Sequence, residues 1–186
     1  MVTEIDKNTA LIMIDLQNAV LGMPLIQPIP ELIENTNKLI TAFRKAKLPI
    51  VFVTVNPSGF KTTRVEGGVQ PKMQLTESQL ALASDLDTQE QDIYITKHTW
   101  AAFYETNLQE ELQKRNITGI VISGVATSIG VEGTARSAVE LGYNISFAID
   151  AITDRFEEAH HHSMTKIFPR IGELDTVENI IKKLPI

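Results

Sequence analysis

Five short apolar runs in this 186-residue chain each lead into a residue able to do chemistry. Residues 11–14 run into Asp15, 50–55 into Asn56 and 93–96 into Lys97. Residues 120–123 lead into Gly124-Val125-Ala126-Thr127, and 145–149 into Asp150. Brought together, a carboxylate and an ammonium can move a proton and offset charge, and an amide can orient a reactant. A glycine-containing turn that opens a helix near Ser128 offers backbone N–H groups to negative charge.

Each of these residues also has a plainer reading. Asp15 could cap a turn, Lys97 could be a strand-end charge reaching solvent, and Asn56 before Pro57 is a natural turn residue. Thr127 or Ser128 reads as a helix N-cap. Ser128 as a nucleophile is a further option, although the sequence places no histidine to activate it. His160-His161-His162 suggests a metal site, but three consecutive helical residues point in three directions and cannot ligate one ion together. Cysteine is absent, which removes disulfides, thiolate zinc sites and a cysteine nucleophile.

These residues need a frame that delivers them to one place. Between the apolar runs lie segments with helical spacing. One carries Leu32, Thr36, Leu39, Ile40 and Phe43 up to Ala46, and another carries Leu108 and Leu112. A third carries Val131, Ala135, Ala138 and Val139 and meets Gly142, which suits a helix C-cap. Residues 157–168 and 177–184 read as two closing helices around a short strand near 172–175. Several strands are apolar on both faces, as a sheet covered by helices on both sides requires. The reading is one domain over residues 1–186, a three-layer α/β/α doubly wound fold with a mostly parallel sheet of about six strands. In such a sheet ligands bind outside the carboxyl ends of the strands, where these four side chains and the glycine-containing turn stand. Residues 56–77 break the alternation and are expected to form a long functional or mobile loop.

Hydrophobic residues make up 43% and charged residues 22%, the balance of a globular chain. A net charge of -6 without a Lys/Arg cluster argues against nucleic acid or an anionic membrane as partner. Uninterrupted apolar runs are too short to span a bilayer. The polar N-terminus does not read as a signal peptide, so a cytoplasmic location is expected.

Three stretches carry a resemblance to the isochorismatase-like hydrolases, the α/β family that includes nicotinamidases and N-carbamoylsarcosine amidases. The first is Ala-Leu-Ile-Met-Ile-Asp15-Leu-Gln17-Asn, and the second Thr-Lys97-His-Thr-Trp-Ala-Ala-Phe103. The third is Ser-Gly124-Val125-Ala126-Thr127-Ser-Ile-Gly130-Val-Glu-Gly-Thr-Ala-Arg136. In this order and spacing the match covers nearly the whole chain. It implies a catalytic Asp at Asp15 and a catalytic Lys at Lys97, with Gly130 where the amidase members place their Cys. It also implies a cis peptide between Val125 and Ala126, and anion-binding N–H groups at Ala126 and Gly130. Gln17, Asn56, Arg64, Trp100 and Ala126 are the implied substrate-binding positions, with Arg64 suited to a bidentate pair with a substrate carboxylate. Residues 53–56, Val-Thr-Val-Asn, lack the zinc ligands of nicotinamidases, so neither metal nor other cofactor is expected.

True isochorismatases, which this chain resembles in lacking the thiol, hydrolyse a vinyl ether with a proton donor and water. The resemblance therefore implies a hydrolase of a small vinyl ether or a related C–O or C–N bond, acting through Asp15 and Lys97. The segment after Lys97 departs from those enzymes, with Thr99-Trp100 where they tend to have Arg-Tyr. The alternative is a catalytically inactive relative of the amidase members that binds a metabolite. Trp100 and Phe103 would line the pocket, form a subunit contact or simply pack. A homo-oligomer, dimer or tetramer, is implied by the same resemblance.

Overall fold

The computed structural model describes residues 1–61, 63–66, 68–69 and 73–185. In chain order the elements are β1 (Thr9–Ile14), α1 (Asn18–Leu21), α2 (Ile29–Lys45) and β2 (Ile50–Val55). A small hairpin follows, β3 (Arg64–Val65) with β4 (Gly68–Val69), then α3 (Glu77–Leu80) and β5 (Ile93–Lys97). The second half runs α4 (Leu108–Gln113), β6 (Gly119–Val125), α5 (Glu132–Glu140) and β7 (Asn144–Thr153). It closes with α6 (Glu157–His162), β8 (Glu173–Asp175) and α7 (Val177–Ile181).

Six strands form the central sheet in the order β5-β2-β1-β6-β7-β8. Every pairing in it is parallel, so the sheet is wholly rather than mostly parallel. The chain winds from β1 outward to β5, then returns to β6 on the other side of β1. That reversal between β1 and β6 is the switch point at which α/β sheets leave a crevice.

Alternation along the strands sends side chains to two cores. Leu11 and Met13 of β1 join Leu39, Ile40 and Phe43 of α2 and Ile180 of α7 on one face. Ile12 and Ile14 join Leu108 and Leu112 of α4 and Ala135 and Ala138 of α5 on the other. Helix α2 begins with Pro30 in its first turn, where the missing N–H costs nothing. Helix α5 ends as its glycine predicts: Gly142 has φ 87°, and the Tyr143 N–H returns to the Ala138 carbonyl at 3.1 Å.

Three sequence expectations change here. Residues 56–77 are not a featureless loop, since a 3-10 turn (Pro57–Gly59) and the β3–β4 hairpin lie within them. Residues 62, 67 and 70–72 of that loop lie outside the described residues. The helix expected over 157–168 divides into α6, a π-helical turn (Ser163–Ile167) and a 3-10 turn (Phe168–Arg170), the last around Pro169, which lacks a helix donor. Finally, β7 runs past Asp150 to Thr153, with its register against β6 shifting between Ile122 and Gly124. Asp150 therefore lies inside a strand, and its carboxylate caps α7 by accepting the Val177 N–H at 2.7 Å.

Candidate active site

Asp15 is the first residue beyond β1. Its φ of 54° is left-handed, which aspartate tolerates better than most residues. The Asp15 N–H donates to the Val53 carbonyl at 2.8 Å, so β2 sets where the carboxylate leaves the sheet. Lys97 ends β5, and its ammonium reaches past β2 to Asp15 Oδ2 at 2.7 Å and the Thr99 carbonyl at 3.1 Å. Lys97 is 2% exposed and Asp15 6%.

A buried ion pair loses hydration, and its attraction offsets that loss only where further hydrogen bonds complete it. Completion is partial here, because Asp15 Oδ1 is buried without a hydrogen-bond partner among the described residues. Burial pushes the Asp15 carboxyl up to about 6, while the Lys97 charge and hydrogen bond pull the other way. Such an acid holds its proton in about one molecule in ten at pH 7, against roughly one in a thousand for an ordinary aspartate.

The second half of the site comes from β6. Gly124 has φ 115°, and a Cβ there would overlap the Ile14 carbonyl oxygen, so glycine alone lets β6 pass β1 this closely. The Val125–Ala126 peptide that follows is cis. Residues Thr127–Val131 then wind as a π-helical turn, with the Val131 N–H reaching back to the Ala126 carbonyl at 3.1 Å. Gly130 is buried, and a Cβ built on it would stand 2.9 Å from Ile14 Cγ2 and 3.2 Å from Asp15 Oδ2. Position 130 thus faces the carboxylate directly.

The turn is held from its far side. Asp154, one residue past β7, accepts the Ser128 N–H and the Ser128 hydroxyl on Oδ2, both at 2.8 Å. Its Oδ1 accepts the N–H groups of Arg155 and Phe156 at 2.7 and 3.2 Å. The Thr127 hydroxyl lies 2.7 Å from Nδ1 of His160 on α6.

Asp15 and Lys97 thus meet beside the Ala126–Gly130 turn at the switch point, and the isochorismatase domain model matches residues 9–179. The chain belongs to the isochorismatase family. It is 37% identical to the uncharacterized isochorismatase family protein YecD of Escherichia coli O157:H7, over 96% of this chain and 97% of that one. It is 34% identical to the uncharacterized isochorismatase family protein YwoC of Bacillus subtilis strain 168, over 96% and 95%. The solved structure of an isochorismatase family protein from Burkholderia thailandensis superposes with a TM-score of 0.93, at 34% identity and 98% coverage of both chains. The protein is therefore an isochorismatase-family hydrolase with the family's α/β fold.

Within this family member the predicted residues separate into two groups. Asp15, Lys97, Gly130 and Ala126 gather at the carboxyl ends of β1, β5 and β6, with Lys97 reaching across β2. Gln17 is instead 1% exposed and clamps the backbone: its Nε2 donates to the carbonyls of Val55 and Leu80, and its Oε1 accepts the Val55 N–H. Asn56 Oδ1 accepts from the N–H and hydroxyl of Ser58, the turn arrangement that Asn before Pro favours. Arg64 is exposed on β3, paired through its backbone with Val69 of β4, and its side chain makes no hydrogen bond or ion pair among the described residues. Trp100 is 58% exposed, with its Cβ against Gly133 of α5.

Neither Thr127 nor Ser128 caps its own helix; the cap is supplied by Asp154, just past the end of β7. The Ser128 hydroxyl donates to Asp154 while the nearby histidine pairs with Thr127, so no Ser–His couple forms. Of the histidine triplet, His160 is part-buried while His161 and His162 are exposed. Asp154 is the residue that sequence reasoning missed, and His160 was read only as one of a histidine triplet, without its bond to Thr127. A signal for Asp154 was present, since Ala151-Ile152-Thr153 continues the β-branched pattern beyond Asp150.

Proposed function

We propose that this isochorismatase-family hydrolase cleaves a C–O or C–N bond of a small organic substrate, in the first instance a vinyl ether. Asp15 and Lys97 serve as the acid–base pair and water as the nucleophile. The observation carrying this reading is the Asp15 carboxyl, raised to about 6 beside Lys97 and faced by Gly130, where no nucleophilic side chain stands. In its protonated form Asp15 gives its proton to the methylene carbon of the enol ether. The oxocarbenium ion adds water, the Asp15 carboxylate takes the proton that water loses, and the hemiketal breaks its C–O bond to release a ketone and an alcohol. Lys97 holds Asp15 in place and offsets its charge between the two proton transfers. The Ala126 and Gly130 N–H groups favour negative charge on the substrate. Arg64 would take a substrate carboxylate, and Trp100 would supply an apolar wall. All these groups belong to the chain, and no metal or cofactor is required.

A panel of vinyl ethers, amides and carbamates, offered to wild type and to Asp15→Asn, tests the reading. Asparagine is chosen because it also tolerates a left-handed backbone. Turnover by wild type that Asp15→Asn abolishes at unchanged circular dichroism is expected; equal rates would remove Asp15 from the reaction. Gly130 also favours a second reading, a catalytically inactive relative of the amidase members that binds a metabolite. A panel compound that raises the melting temperature and is recovered unchanged would support it. The exposed Trp100 and Phe156 favour a homo-oligomer, which light scattering would show as a dimer or tetramer mass.

A further inference from the structure

The Ala126–Gly130 turn meets the Asp15–Lys97 pair on one side and is gripped on the other by residues the reaction scheme leaves unused. Thr127 is fully buried, and His160 Nδ1 is the hydrogen-bond partner of its hydroxyl among the described residues. A hydroxyl carries one proton, and burying that proton without an acceptor is costly. The acceptor in reach is Nδ1, so the neutral ring carries its own proton on Nε2. His98 provides the contrast inside the same molecule. Its Nδ1 lies 2.8 Å from the Asn56 carbonyl oxygen, which can only accept, so there the proton is on Nδ1.

We propose that His160 is a positioning residue: its Nδ1, accepting from the buried Thr127 hydroxyl, holds the Ala126–Gly130 turn against the Asp15–Lys97 pair. The role attributed to that turn rests on the function proposed above, whereas the grip itself does not. Asp154 secures the next residue, Ser128, so two consecutive residues of the turn are tied to the segment following β7. Burial lowers the His160 pKa below the ordinary histidine value, with Asp154 opposing and His161 reinforcing that shift. A neutral ring is what the Thr127 bond requires, because a protonated one would have no lone pair for it.

Imidazole nitrogen NMR on the full chain near pH 7.5 reads the tautomer directly. His160 is expected as the Nε2–H form and His98 as the Nδ1–H form; a proton on His160 Nδ1 would overturn the proposal. His160→Leu and Thr127→Val each remove the bond, while His160→Asn keeps a polar atom near the Nδ1 position. Amide exchange at Ser128 and Val131 is expected to quicken by about tenfold or more in the first two and to recover in the third. With a vinyl ether that wild type hydrolyses, kcat should fall by about tenfold with KM nearly unchanged, and His160→Asn should restore most of it. Unchanged exchange and unchanged kcat in His160→Leu and Thr127→Val would sink the idea. Should wild type hydrolyse nothing, the proposed reaction fails, while tautomer and exchange still decide whether His160 holds the turn.

Discussion

Two buried aspartates stand at the same edge of the sheet, and their surroundings set them apart. Asp154, 1% exposed, receives four hydrogen bonds, two on each oxygen, from donors within its own loop and the adjoining turn. Asp15, 6% exposed, places one oxygen on the Lys97 ammonium and leaves the other bare among the described residues. A carboxylate whose lone pairs are filled by backbone and hydroxyl donors is a fixed anchor. One that meets a single ammonium can take up and give back a proton. Burial alone does not make a carboxyl reactive; what counts is how many donors its charge finds once water has gone.

The strongest test exchanges the same chemistry at both positions. Asp15→Asn should lower kcat/KM on the best panel substrate by about a thousandfold or more, roughly 4 kcal/mol of barrier. Asp154→Asn, which keeps one acceptor oxygen, should cost about tenfold. Steady-state kinetics that ranked the two the other way round would reverse their roles.

A second test uses pH. The folded Asp15 carboxyl titrates near 6 and its ordinary value is 3.8, so between these pH values the native state holds a proton that the unfolded chain lacks. Stability therefore rises as pH falls from 7 towards 4, by up to about 3 kcal/mol from this group alone. Urea unfolding across that range checks the sign, and Asp15→Asn should lose the slope. The proton-donor role also predicts that the rate declines as pH rises through about 6.

Asp154→Ala strips the acceptor from the Ser128 N–H and hydroxyl and should destabilise the fold by about 2 kcal/mol, measured by thermal or urea unfolding. A neutral result would mean that water replaces Asp154 without loss. The smallest effect belongs to Arg64→Ala, which should leave stability within about 0.5 kcal/mol. Its KM should rise for carboxylate-bearing substrates and not for neutral ones, and equal changes for both would detach Arg64 from binding.

The strand core was largely legible because buried parallel strands are apolar on both faces, so residues 11–14, 50–55 and 120–123 stand out without any knowledge of their partners. Helix α5 was legible from its spacing and from Gly142, which a left-handed C-terminus selects. Strand β7 was harder: a charged Asp150 resembles a strand end, yet a register shift lets the chain run on to Thr153. That single difference moves the edge carboxylate from Asp150 to Asp154. Asn56 read equally as a turn residue or a substrate ligand and Gln17 only as an implied substrate ligand, yet amide side chains bind substrate or backbone with the same atoms.

Residue order by itself determined the alternation of strands and helices, the want of a thiol, and the set of polar residues that follow apolar runs. These depend on side-chain type and local spacing, which act over a few residues. Tertiary structure decided which of those groups meet. Asp15 and Lys97, 82 residues apart, touch because β2 lies between their strands and sets their register. It also decided that one aspartate would be saturated and another left half-paired, since hydrogen-bond donors arriving from distant segments are counted only once the chain has closed around them.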